Sequence, residues 1–270
     1  MRRSVVSLAL LLALPMAARA QQSPPTVFFE DMTFNEIRDL IQGGYRNVIL
    51  PTGGVEQNGP HMALGKHNFI ITYTADKIAR SLGNTLVAPV ITYVPEGNYS
   101  PATGHMRMAG TISMPDSAGY MMLLEAAATS LKGAGFRTIL FVGDSGGNQR
   151  GMAAVAAKLT AAWQADGVRV LHIPDYYEKA GDQIDKYISD TLRIPADQVG
   201  GHAYVSDTSQ LMFVAPQLVR VDKMEPGNAT NGVSGDPRRS SPQMGQVFLQ
   251  MKIDAALAQI RQLTGQGRAR

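Results

Sequence analysis

A carboxylate, two carboxamides and two imidazoles fall close together in Glu56-Gln57-Asn58-Gly59-Pro60-His61-Met62-Ala63-Leu64-Gly65-Lys66-His67. Acid and imidazole groups clustered in this way can hold divalent cations and bring the pKa of bound water toward neutrality, or can pass protons. The structural alternative is that Glu56 and His61 only hydrogen-bond a glycine-rich loop. A second group lies in Gly143-Asp144-Ser145-Gly146-Gly147-Asn148, where Ser145 sits in the G-x-S-x-G pattern of a nucleophile elbow. Asp175 and His202 follow in the chain order that such a triad uses. Glycine-rich turns after strands also bind anions or let helices pack closely, so a nucleophilic Ser145 stands as an alternative. His105, and His202 with Asp207-Thr208-Ser209, occupy irregular stretches. A single histidine is more often structural than functional, but several in loops at strand ends point together to a site.

The elements that must position these groups are legible from pattern. Apolar runs predict strands at Asn47–Leu50, Leu86–Ile91, Thr138–Val142 and Val168–Ile173. Between them, helical spacing predicts helices over 68–82, 117–132 and 149–165, and a closing helix over 243–263. Thr33-Phe34-Asn35-Glu36 is a capping box opening an earlier helix that ends near Gly43-Gly44. A loop around His202 and a short helix or strand near Leu211–Val214 are also expected. His172 falls inside a strand and reads as core or edge. Alternating strands and helices imply α/β architecture, a three-layer α/β/α domain over 31–265 with a mostly parallel sheet. In such sheets ligands bind outside the carboxyl ends of the strands, where both chemistry-bearing loops fall.

Residues 1–20 read as a signal peptide, with Arg2-Arg3, the apolar run Val5–Leu14 and the small-residue site Ala18-Arg19-Ala20. The apolar run is shorter than the ~20 residues a membrane span needs, so an exported chain, periplasmic or secreted, without a span is expected. Residues 21–30 are expected to form a flexible tail. The signal carries three of the 25 Lys+Arg and none of the 22 Asp+Glu, which leaves 25 − 3 = 22 against 22 in the mature chain. Nothing in that balance suggests a nucleic-acid partner, which needs clustered basic residues. With no cysteine in the sequence, disulfides, thiolate metal sites and a cysteine nucleophile are excluded.

Together these segments resemble the creatininase (creatinine amidohydrolase) family. Its first motif, Glu-x-His-Gly-x-His-Leu-Pro-Leu-x-x-Asp, is similar to Glu56 through His67. Its Asn-Gly-His-Gly-Gly-Asn turn is similar to Gly143 through Asn148, and its His-Ala-Gly-x-x-Glu-Thr-Ser to His202 through Ser209. His105 with Gly110-Thr111-Ile112, and Gly232-Val233-Ser234-Gly235-Asp236-Pro237, complete the match. The departures fall on metal ligands: Asn58 and Ser145 stand where the family has histidines, and His67 where it has a bridging aspartate. Glu56 matches, and Asp207 stands where relatives with a Gly-Gly turn place a carboxylate ligand.

The resemblance implies a hydrolase that opens a C–N bond of a small amide or cyclic amide, and a homo-oligomer. It implies divalent metal, zinc or manganese, often as two ions in the family, whereas the altered ligand positions of this chain lead us to expect one ion rather than two. The ligands would be Glu56, His67 and Asp207, joined by Asn58 or Asp144. His202 would act as general acid/base, with His105, His61 and Ser145 as further catalytic candidates. Two other readings stay open on the same fold, a serine hydrolase using Ser145 and a non-catalytic binding module.

Overall fold

The computed structural model describes residues 24–114 and 117–265, and the expected signal peptide lies outside them. In chain order the main elements are α1 (Phe34–Gln42), β1 (Asn47–Thr52), α2 (Lys66–Leu82), β2 (Thr85–Val87), α3 (Ser117–Ala134) and β3 (Thr138–Gly143). They continue with α4 (Gly146–Ala162), β4 (Arg169–His172), α5 (Glu178–Asp190), α6 (Val205–Val214) and α7 (Pro242–Thr264). The four strands pair in the order β2-β1-β3-β4, and every pairing is parallel.

Parallel strands covered on both faces need continuous apolar runs rather than alternation. That is what Val48-Ile49-Leu50 and Ile139-Leu140-Phe141-Val142 supply, and β1 and β3 are buried throughout. Val48, Leu50, Ile139 and Phe141 pack on Ile41 of α1, Leu124 of α3 and Val155 of α4. Ile49, Leu140 and Val142 pack on Ile71 and Ile78 of α2 and Ile253 and Ile260 of α7. The result is the expected three-layer α/β/α arrangement. From the adjacent central strands the chain departs in opposite directions, toward β2 on one side and β4 on the other. The carboxyl ends of β1 and β3 therefore flank a topological switch point, where a crevice opens.

Several expected boundaries move, each for a local reason. The second strand stops at Val87 because Pro89 has no N–H to continue the ladder, and pairing resumes only as a bridge between Thr52 and Ile91. The tail expected to reach residue 30 ends earlier: Val27 is buried, its carbonyl accepts from Val87 N at 2.8 Å, and Phe28 bridges Val87. Helix α5 is an addition, with Ala180, Ile184 and Ile188 buried at a spacing of four. The stretch near Leu211–Val214 is the end of helix α6. The Thr33 capping box forms as expected, Thr33 N donating to Glu36 Oε2 at 2.7 Å. Two shifts matter for the site: α2 starts at Lys66 rather than 68, and α4 at Gly146 rather than 149.

Candidate active site

The Asn58 side chain closes the loop after β1. Asn58 Nδ2 donates to the carbonyls of Glu56 (2.9 Å), Ala63 (3.2 Å) and Leu64 (3.2 Å), while Glu56 N donates to Leu64 O at 3.1 Å. The loop thus folds back on itself and delivers Glu56 at one end and the first turn of α2, with Lys66 and His67, at the other. Asp144 follows β3 directly, its N–H bonded to Thr52 O at 3.0 Å. Gly147 lies against the carbonyl of Pro95, where a Cβ would clash, so the glycine turn lets the 95–97 loop approach. Asp207 comes from the first turn of α6 and accepts from Ala203 N at 2.7 Å. Ala203, beside His202, holds the left-handed φ of +55°, a strained conformation for a residue with a Cβ that recurs at functional sites.

These groups line a cavity of about 400 Å³ at the carboxyl ends of β1 and β3. His67 bridges two carboxylates, with Nε2 2.8 Å from Glu56 Oε1 and Nδ1 2.7 Å from Asp144 Oδ2. Lys66 Nζ lies 3.4 Å from Glu56 Oε1 and 3.3 Å from Asp207 Oδ2. Asp144 Oδ1 accepts from Lys252 Nζ (2.7 Å) and Tyr176 OH (2.8 Å).

The charge states follow from these contacts. Burial and the Lys66 cation push the His67 imidazole down, but Glu56 and the hydrogen bonds to Asp144 and Glu56 outweigh them and hold it at about 9. Burial raises Asp144, yet Lys252 and His67 bring it to about 2. Burial likewise opposes the ionised form of Glu56, and His67 and Lys66 hold it well below the usual range. Lys66 is raised despite burial by Asp207, Glu56 and Asp144. Glu96 goes the other way: burial and the adjacent Glu56 carboxylate push it up to about 9, so at neutral pH it is a protonated carboxyl. Three carboxylates (Glu56, Asp144, Asp207) thus face three cations (Lys66, His67, Lys252).

Gln57 sets the His105 and His202 imidazoles. Its Oε1 accepts from Gly59 N at 3.1 Å, and its Nε2 donates to Gly232 O at 3.2 Å. Nε2 also lies 3.1 Å from His105 Nδ1, so the amide donates there and neutral His105 carries its proton on Nε2, 3.2 Å from Glu56 Oε2. His202 has the opposite polarity. Its Nε2 donates to Gln57 O at 2.7 Å, leaving the Nδ1 lone pair 3.7 Å from Glu56 Oε1. Burial and Lys66 push His202 down to about 4, so it is neutral at pH 7. One ligand atom each from Glu56, His105 and His202 lie within 4.8 Å of one another. Two imidazoles and a carboxylate form a donor set that zinc and manganese accept, so these residues fit a divalent ion once His105 gives up its Nε2 proton.

Of the residues singled out from sequence, Glu56, His67, His105, Asp144, Ser145, His202 and Asp207 all line this cavity. His67 and Asp144 meet each other and neighbouring charged side chains, and Asp207 pairs with Lys66, so the residues best placed to share an ion are Glu56, His105 and His202 rather than the expected set. Asn58 spends its amide N–H groups on the loop backbone. His61 is fully buried away from the cavity, with Nε2 2.9 Å from Thr208 Oγ1. Ser145 does not assemble with Asp175 and His202: Asp175 pairs with Lys179 at 3.4 Å, and both His202 nitrogens face Gln57 and Glu56. His172 ends the edge strand, bonded to Gln149 at 2.9 Å. Lys66, Glu96 and Lys252 were not visible as site residues. The signal for Lys66 was its place beside His67 at a helix start.

Residues 30–260 match the family model for creatininase, described as creatinine amidohydrolase, and the chain belongs to the creatininase family. It is 27% identical over 199 residues to the mycofactocin precursor peptide peptidase of Mycolicibacterium smegmatis, covering 72% of this chain and 68% of that one. The fold is similar to that of a manganese form of creatininase, with a TM-score of 0.72 at 19% identity over 88% of this chain and 98% of that one. A Zn–Zn form of a creatininase mutant gives a TM-score of 0.71 at 19% identity over the same shares. Membership of this family supports hydrolase activity, and its homologues bind manganese or zinc.

Proposed function

We propose that this chain is an exported hydrolase that opens the C–N bond of a small polar amide or cyclic amide in the cavity between β1 and β3. The observation that carries the reading is the convergence of Glu56, His105 and His202 on one point of the cavity wall. One divalent ion held by Glu56, His105 and His202 would supply Lewis acidity toward a substrate carbonyl oxygen and activate the attacking water. Gly146 and Gly147, in the first turn of α4, open onto the cavity, so the unpaired N–H groups and positive end of that helix face a developing oxyanion. Lys66 and Lys252, which also line the cavity, add fixed positive charge. Burial pushes the Glu96 carboxyl up where it lines the cavity, which suits it to protonate a leaving nitrogen.

The test is metal analysis of purified protein together with hydrolysis of a panel of small amides and lactams. About one equivalent of zinc or manganese, and hydrolysis lost on chelation and in Glu56→Gln, are expected. Absence of bound ion together with chelator-insensitive hydrolysis contradicts the reading. The neutralised ion network favours one competing reading, a binding module that keeps the fold without turnover. Ligand binding without hydrolysis of any panel member, with zinc or manganese supplied, selects it. Export rests on the pattern of residues 1–20 and is tested by the N-terminus of the mature protein, expected at Gln21. Homo-oligomeric assembly, tested by light scattering, belongs to the same proposal.

A further inference from the structure

We propose that Lys66 is a resident cation that occupies the place of a second metal ion. The resemblance in sequence places two surviving ligand carboxylates in this chain, Glu56 and Asp207, and both face the Lys66 ammonium, at 3.4 and 3.3 Å. The Lys66 side chain is only 1% exposed, so this ammonium is a fixed part of the site rather than a solvated surface charge. A buried charge of this kind persists only when paired, and the pairing takes one oxygen of each carboxylate, Glu56 Oε1 and Asp207 Oδ2, on the side where a second ion would sit. The other ligand positions have changed in the same direction. Asn58 is turned into the loop backbone, and His67 presents both nitrogens to carboxylates. A divalent cation between Glu56 and Asp207 would have to displace Lys66 or sit against it, like charge to like, in a water-poor wall. The chain therefore holds at most one ion, on the Glu56, His105 and His202 side.

The inference rests on the cavity being the hydrolytic site, and counting ions separates the two. Mn²⁺ alone is the probe, because its preference for oxygen ligands suits two carboxylates. Equilibrium dialysis with elemental analysis is expected to show one more equivalent of Mn²⁺ in Lys66→Ala than in the parent chain, and no gain in Lys66→Arg. The melting temperature of Lys66→Ala should also rise more on adding Mn²⁺. Lys66→Gln, which keeps hydrogen bonding in the wall, should gain the same equivalent and serves where the alanine variant does not fold. An unchanged count in the folded variants overturns the inference. A parent chain with no ion and a Lys66→Ala variant with one supports it while sinking the one-ion reading above. One ion in both does the reverse.

Discussion

At the scale of single residues, the site is a closed set of charges whose protonation is set by position. In metal-free buffer this has a definite consequence for stability. His67 and Glu96 keep their protons up to about 9 in the fold, against 6.5 and 4.5 ordinarily. The folded state then binds more protons than the unfolded one, so stability falls as pH rises toward 9. His61, His172 and His202 sit at about 4 rather than 6.5, so the unfolded chain binds more protons there and stability falls as pH drops from 6.5 toward 4. The melting temperature should peak at about pH 6–7. Glu96→Gln, which mimics the protonated carboxyl, should flatten the alkaline side, and an unchanged slope would show that Glu96 is ionised. Ser145→Ala should retain most activity, whereas loss of about a thousandfold or more, as for a nucleophile, would restore the serine reading. Glu56, His202 and Asp207 were legible in the sequence because each lies within a motif near a strand or helix end, and His105 because it stands in a glycine-rich loop with a family-like segment after it. Lys252 was not: it reaches Asp144 across 108 residues from the middle of an amphipathic helix, where a lysine reads as solvated. Glu96 was hidden in a loop without periodicity.

At the scale of elements, the turns after β1 and β3 do the positioning. The strands and most helices were legible because their apolar runs and glycine stops are strong local signals. The starts of α2 and α4 were misplaced by two and three residues, since Gly65 and Ser145 precede them without a side-chain cap bond to announce a helix. That small shift decided whether Lys66 and His67 read as loop or as the first helical turn. Asn58 ties three carbonyls of the loop together. Asn58→Ala removes a buried donor shared by three loop carbonyls and should cost about 1–3 kcal/mol in chemical denaturation. Glu56 would also lose its fixed backbone, so hydrolysis should fall together with stability. A variant as stable as the parent would show that the loop is held elsewhere.

At the scale of the whole molecule, a four-stranded parallel sheet with helices on both faces brings residues from the loops after β1 and β3 and from α2, α6 and α7 to one crevice. The fold was largely legible, since its logic is one of repeating local patterns, and membership of the creatininase family agrees with it. The chemistry was less so, because the departures at Asn58, His67 and Ser145 acquire meaning only when Lys66, Lys252 and Glu96 are seen around them. The central claim is that this cavity works with one divalent ion beside a built-in set of cations. Its most direct test is the number of zinc or manganese ions per chain in purified, hydrolytically active protein. The account predicts about one, lost in Glu56→Gln together with amide hydrolysis. Two ions per chain, or none with hydrolysis intact under chelation, would contradict it.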